Sequence, residues 1–345
     1  MVVGGRPALD AKARPTAAVT HLKLAEDSRA AALLARLDSS YFQLVDRLPP
    51  RLGLLARQGS TYTGIQAGEA FGGVSAMNPG ITGTPWLFWE PVQCLEDGVF
   101  LQLALGGSLV VLASVLLDHI VDGQAVRQGE MVLLHQALHE EGTARLRACL
   151  AADSGFWDDF ERLGAEHVVG LAAELSARSE PEQLTLDAFC AMVPFKFSPI
   201  AITMAAFCHA LGQPGLLAPI ELSIKHLAVA SQLLDDMGDW EEDLQAGHLT
   251  YYLTQLAPPA AWQATDWPAA SELQQRIDAD WLDIHTTEMV LLWLERSLAC
   301  VSGLPCSAWK AYLDGYCALA RQHLERYGAR HILRAIEPLV GSPEA

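Results

Sequence analysis

Positive charge is scarce in this chain. Its 23 Lys and Arg residues stand against 41 Asp and Glu, giving a formal net charge of −18 over 345 residues. A field of that sign repels polyanions, which excludes nucleic acid and an anionic membrane surface as partners. Charge of either sign is sparse at 19%, while 51% of residues are hydrophobic, so the chain can bury a large core. Cysteine pairing is also missing. The seven cysteines are odd in number and show no paired or metal-site spacing, which points to reduced thiols in a cytoplasm. Alternating strand patterns are rare, and Gly and Pro fall between periodic segments rich in Ala and Leu, so an all-α protein is expected. Residues 1 to 20 lack the apolar core of a signal peptide. The uncharged run from Phe100 to Leu117 approaches membrane-spanning length, but it contains Gln102, Gly106, Gly107 and Ser108 and has no comparable partner. It reads as a buried central helix, with no stable membrane insertion. Residues 1–25 are expected to be a disordered N-terminus and 26–345 a single domain, with irregular connections at 64–91 and 258–268.

Against this background two acidic clusters stand out, Asp118-His-Ile-Val-Asp122 and Asp235-Asp-Met-Gly-Asp239. Each places carboxylates four residues apart, on one face of a helix. The second runs on into Trp240-Glu-Glu-Asp243. Like charges at that spacing repel unless neutralised, and Asp is a poor helix former. A hard divalent cation is a natural neutraliser, because Mg²⁺ takes few carboxylates, keeps several waters and shares its shell with phosphate. An acidic run is more often a solvated helix face, and for 235–243 alone the two readings weigh evenly. Asp118 and Asp122 are harder to dismiss, since they end an apolar helix where carboxylates need partners. A lone Lys such as Lys196, set between aromatics and prolines, would ordinarily be a snorkelling residue at a helix end.

The sequence Leu116-Leu-Asp-His-Ile-Val-Asp-Gly-Gln-Ala-Val-Arg127-Gln-Gly129 resembles the first aspartate-rich motif of the trans-isoprenyl diphosphate synthases. That family reads Asp-Asp-x-x-Asp followed by Arg-Arg-Gly; here His119 and Gln128 replace the second Asp and the second Arg. Gln232-Leu-Leu-Asp-Asp-Met-Gly-Asp239 is similar to the second motif, and Pro194-Phe-Lys196-Phe to a diphosphate-binding Lys at a helix break. The resemblance spans residues 100–250 and implies an all-α class I terpenoid synthase bundle around a central active-site cavity. It further implies Asp118, Asp122, Asp235, Asp236, Asp239 and Asp243 as ligands of a cluster of two or three Mg²⁺ ions. Arg127 and Lys196 would hold the diphosphate, with Gln232 supporting the second motif. Arg326-Tyr327 is similar to an Arg-Tyr pair that closes terpene cyclase sites, a two-residue match that a solvated helix end fits as well. His135 and His139 share a helix face but have no third ligand in view.

The departures from the pattern shape the expected chemistry. The family binds isopentenyl diphosphate through a Gly-Lys-x-x-Arg element, a His and the paired arginines. Here Gly72-Gly73 is followed by Val-Ser-Ala, Val111 stands at the His position, and only Arg127 of the pair is present. A metal-bound allylic diphosphate without a condensation partner implies a terpene cyclase. Ionisation would be assisted by Lewis-acidic metal, in a dry cavity lined by aromatic faces. Trp86, Phe88, Trp89, Phe195, Phe197, Phe207 and Trp293 are candidates, although each alone is more simply a core residue. Small residues at Ala113 and Ser114, where the family closes its pocket floor, favour geranylgeranyl over geranyl diphosphate, with farnesyl left open. The alternatives are a prenyltransferase acting by chain elongation or on an aromatic acceptor, and a non-catalytic partner subunit. The reading leaves a homodimer open.

Overall fold

The computed structural model describes residues 28–63, 70–123, 127–180, 184–263 and 267–340. The expected disordered N-terminus lies outside them. Among the described residues there is no strand, only an isolated bridge between Gln58 and Ala70. The longer helices are α1 (Ser28–Val45), α2 (Pro50–Ala56), α3 (Asp97–Val121), α4 (Gln128–Cys149), α5 (Phe156–Ser179) and α6 (Leu186–Lys196). They continue with α7 (Pro199–Ala210), α8 (Leu217–Gly238), α9 (Trp240–Ala246), α10 (Ala270–Asp280), α11 (Leu282–Cys300) and α12 (Ser307–Val340).

The uncharged run seen in the sequence becomes α3, the central helix. Its residues from Leu103 to Ala113 are all buried, so it is apolar on every side, as a helix packed all round must be. By length and composition alone α3 could cross a membrane, but its apolar surface is taken up by α1, α4 and α7. Two adjacent glycines let it pack closely on two sides. A Cβ on Gly106 would lie 3.1 Å from the Gly142 carbonyl oxygen of α4, and one on Gly107 would lie 2.4 Å from Thr203 Oγ1 of α7. At the α4 crossing the two backbones therefore approach directly, while at the α7 crossing the Thr203 side chain packs onto the bare Gly107 backbone.

A second set of packed helices faces this one. α8 packs along α11, α11 along α12, and α5 contacts both α6 and α7. α6 and α7 form one bent unit, turning by 51° at a break flanked by Pro194 and Pro199. Pro194 carries no N–H for the helical ladder of α6, and Pro199 opens α7 at a first-turn position where its missing N–H costs nothing, so the chain turns between them. Thr185 caps the start of α6 by accepting a hydrogen bond from Ala188 N at 3.2 Å.

The stretch expected to be irregular holds single-turn helices at Pro79–Thr82, Thr84–Leu87 and Trp89–Val92; its residues 64–69 lie outside the described ones. The second expected connection holds one at Pro259–Trp262. A smaller core beside the main one gathers Met237, Trp240, Tyr252, Trp262 and Leu273, with Tyr327 packed against it.

Candidate active site

α3 stays apolar to Leu116 and then delivers Asp118 and His119 on its last turn, with Asp122 as its C-cap. Across from them, α5 supplies Glu174 and the α6–α7 break supplies Lys196. Oxygens of Asp118, Asp122 and Glu174 all lie within 4.8 Å of one another. Lys196 Nζ sits 3.1 Å from Asp118 Oδ1 and 3.0 Å from Glu174 Oε2, and it donates to Glu174 Oε1 at 3.1 Å. Asp118 Oδ1 is buried and, despite the nearby ammonium, accepts no well-aligned hydrogen bond.

The electrostatics follow from crowding acids in a poorly hydrated place. Burial pushes the Asp118 carboxyl up to about 6; the Lys196 ammonium opposes this, while the Asp122 and Glu174 charges add to it. Burial alone would lower the Lys196 pKa, but Asp118, Glu174 and Asp122 outweigh it and hold the ammonium above the usual lysine range. Lys196 is therefore a charged group throughout the neutral range.

The second motif lies at the end of α8. Asp236 is buried, and Gln232 Nε2 donates to its Oδ1 at 2.7 Å, one turn earlier on the same helix. Burial pushes Asp236 up to about 8; the Gln232 hydrogen bond opposes this, Asp235 and Asp243 add to it, and Lys196 opposes it. The same ammonium thus acts on acids of both motifs. Asp239 closes α8 and opens α9, whose first turn holds Glu241, Glu242 and Asp243. Acids there are favoured by the helix dipole, which accounts for part of the run without a ligand. Glu241 and Glu242 are exposed, whereas Asp243 is half-buried and near enough to act on Asp236.

Other candidate residues fall elsewhere. Arg127 caps α4 and pairs with Glu130. His119 is turned to the Thr61 backbone, with burial holding its imidazole pKa down and that hydrogen bond opposing. His135 Nδ1 donates to the Ala113 carbonyl at 2.8 Å, and its ring lies 6.1 Å from that of His139. Arg326 is exposed on α12, and Tyr327 lies under the Arg330 guanidinium at the smaller core. Of the aromatic candidates, Trp86, Phe88 and Phe207 are wholly buried in the main core, where Phe88 stacks on Trp309 and Phe207 meets Phe100. A shallow hollow of about 290 Å³, lined by Arg36, Ser39, Gln43 and Gln102 among others, contains none of the acids.

Glu174 was not among the sequence candidates. A single acid in Ala-Ala-Glu-Leu-Ser gives little signal. What could have found it is the spacing His167, Gly170, Glu174, which lies on one face of α5 and turns out to face the Lys196 break.

The donor set suits a hard divalent cation. Three carboxylates converge, the buried Asp118 Oδ1 among them short of a donor, and oxygen-only ligation selects Mg²⁺, Mn²⁺ or Ca²⁺ over softer metals. Asp235, Asp239 and Asp243 do not converge to the same degree among the described residues.

No protein-family model and no curated protein matches the chain. Solved structures do. A polyprenyl synthetase from Streptomyces coelicolor A3(2) superposes with a TM-score of 0.58 at 18% identity, covering 86% of this chain and 99% of its own. A geranylgeranyl pyrophosphate synthase from Corynebacterium glutamicum reaches 0.63 at 12% identity, covering 91% and 98%. A polyprenyl synthase from Caulobacter crescentus, complexed with calcium and isoprenyl diphosphate, reaches 0.62 at 15% identity, covering 85% and 96%. The chain has the all-helical fold of the isoprenyl diphosphate synthases over nearly their whole length.

Proposed function

We propose that this protein is a metal-dependent enzyme acting on an allylic prenyl diphosphate. The observation that carries the reading is the convergence of Asp118, Asp122 and Glu174 around one buried ammonium that also acts on Asp236 of the second motif. Asp118, Asp122 and Glu174 would hold Mg²⁺ on one side, and Asp235, Asp236, Asp239 and Asp243 would hold it on the other. When bound, the metal supplies Lewis acidity that stabilises a departing diphosphate.

The chain's own residues do the rest. Lys196 presents a permanent positive charge to the leaving group from a place where few waters screen it. Gln232 fixes the Asp236 carboxyl, so the acid need not reorganise as charge develops. The half-buried end of α3 would limit water at the reacting carbon, which would otherwise capture the cation.

Prenyl transfer is the fate favoured by the three fold likenesses described above, a polyprenyl synthetase, a geranylgeranyl pyrophosphate synthase and a polyprenyl synthase. The acceptor in our reading is not isopentenyl diphosphate. After Gly72-Gly73 the turn points Val74 and Met77 into the core, and its Ser75 N–H donates to Asp38 at 2.9 Å. A carboxylate thus stands where a second diphosphate would need cations. The same turn supports cyclisation as the second reading, because an intramolecular capture needs no acceptor site. Ala113 is buried and Ser114 half-buried with its hydroxyl tied to the Val110 carbonyl at 3.0 Å, so no bulky side chain arises at the expected pocket floor.

Incubating the protein with Mg²⁺ and geranyl, farnesyl or geranylgeranyl diphosphate separates these fates when products are identified by mass spectrometry. A cyclic product from one substrate alone supports cyclisation. A product formed only with an added aromatic acceptor supports transfer. Chain extension with isopentenyl diphosphate would overturn our reading of the turn, and absence of any product with every substrate would overturn the proposal.

A further inference from the structure

The Lys196 side chain is only as well placed as the peptide that carries it, and that peptide sits in a helix break. The Pro194 ring removes a ladder hydrogen bond, so the backbone there needs other support. α5 provides it. His167, buried at 6% exposure, places Nδ1 2.7 Å from the Lys196 carbonyl oxygen. A carbonyl only accepts, so Nδ1 carries the proton and donates it to this bond. One turn further on, Gly170 meets the peptide on the N-terminal side of the same residue: a Cβ there would lie 2.4 Å from Lys196 N and 2.9 Å from its Cα. Another turn on, Glu174 receives the Lys196 ammonium. Residues 167, 170 and 174 therefore engage the carbonyl, the backbone nitrogen and the side chain of one residue.

The flanks of the break are held from the same side. Ser198 Oγ lies 2.7 Å from Glu166 Oε2 and 3.2 Å from the Pro194 carbonyl. Lys225 of α8 donates to Glu166 Oε2 at 2.8 Å and stands 5.5 Å over the Phe195 ring. The peptide cannot slide along α5 without breaking several of these contacts at once.

We propose that His167 and Gly170 are positioning residues for Lys196: the imidazole fixes the Lys196 carbonyl, the glycine admits its backbone, and together they set where the ammonium meets a diphosphate. This rests on the reading of Lys196 as a diphosphate-binding group. Neither residue touches the ligand, and each acts through the Lys196 peptide.

The test uses inorganic pyrophosphate as the probe, with Mg²⁺ present, and measures its affinity by titration calorimetry for the full chain. His167→Leu should weaken binding about tenfold, the size of one misdirected charged contact of about 1.4 kcal/mol. His167→Asn, whose amide can donate from nearly the same position as Nδ1, should recover most of it. Gly170→Ala displaces the backbone of the same residue by a different route and should also weaken binding. As a control, Gly142→Ala at the α3–α4 crossing should lower the melting temperature without changing pyrophosphate affinity. Wild-type affinity in both His167→Leu and Gly170→Ala overturns the proposal, as does failure of His167→Asn to differ from His167→Leu. Lys196→Ala locates the fault. If it too binds as wild type, the diphosphate role of Lys196 falls and the positioning role falls with it; if it binds weakly while the other two bind normally, only the positioning role falls.

Discussion

Replacing Lys196 with methionine would strip the acidic cluster of its internal cation while keeping a side chain of similar length. The ammonium lies 3.1 Å from Asp118 and 3.0 Å from Glu174, with side-chain exposures of 11%, 25% and 18% for Lys196, Asp118 and Glu174. Removing one partner of a fully buried pair costs about 3–5 kcal/mol. Partial solvation of the acids reduces this, so we expect about 2–3 kcal/mol without divalent metal, scaling the same penalty for exposure. The cost has a ceiling, because Asp118 can take up a proton instead, at about 1.4 kcal/mol per pKa unit. Urea unfolding at pH 8 with a chelator should reveal the deficit as a lower midpoint at unchanged slope. Adding Mg²⁺ should then recover more stability in Lys196→Met than in wild type, since the metal no longer competes with an ammonium. Metal at 100 times its dissociation constant stabilises by about 2.7 kcal/mol, enough to offset most of the loss. The reasoning is refuted if Lys196→Met unfolds at the wild-type midpoint without metal, or if Mg²⁺ shifts the two proteins equally.

Asp118→Asn should abolish most of the Mg²⁺-dependent rise in melting temperature, whereas the same change at Asp314 on α12 should not; equal shifts in both would remove Asp118 from the metal site. Gly142→Ala forces a Cβ to within 2.7 Å of the Gly106 carbonyl and should cost about 1–3 kcal/mol by overpacking, measured by urea denaturation. Asn78→Ala leaves the Tyr312 and Tyr316 hydroxyls, now 2.5 and 3.2 Å from the amide, without that partner, and should cost about 1–3 kcal/mol by the same assay. Burial tends to raise the Glu221 carboxyl, but Arg162 and Lys225 outweigh it and hold it below the ordinary range. A carboxyl lowered on folding stabilises above its unfolded pKa of about 4.3 and loses that contribution as pH falls through the folded value. Glu221→Gln should therefore flatten the loss of stability below about pH 4, and an unchanged pH profile would contradict it.

What could be read from the sequence was what depends on local pattern. The Phe100–Leu117 run announced a buried helix because no charge interrupts it, and each Asp pair could be placed on one helix face because carboxylates four apart share a face. The break beside Lys196 was legible through the resemblance carried by Pro194-Phe-Lys196-Phe. Glu174 was not legible, since its significance lies in facing Lys196 across a helix contact, and nothing in its immediate sequence records that. Trp86 and Phe88 were legible as core aromatics, the simpler reading of each alone, but their packing partners were not. Their burial comes from single-turn helices packed under α12, with Phe88 against Trp309 on the far side of the chain. Tyr327 joins the smaller core for the same kind of reason: α12 carries it to Met237 and Trp240, a meeting set by tertiary packing.

Release of pyrophosphate from geranylgeranyl or farnesyl diphosphate, followed with the purified protein in Mg²⁺, tests the central claim most directly. Our account predicts metal-dependent release that falls by at least about 100-fold in Asp118→Asn and in Asp235→Asn, the scale expected when an electrostatic stabiliser of the leaving group is lost. No release from any allylic diphosphate, with or without an acceptor, would contradict it, and so would release that survives both substitutions.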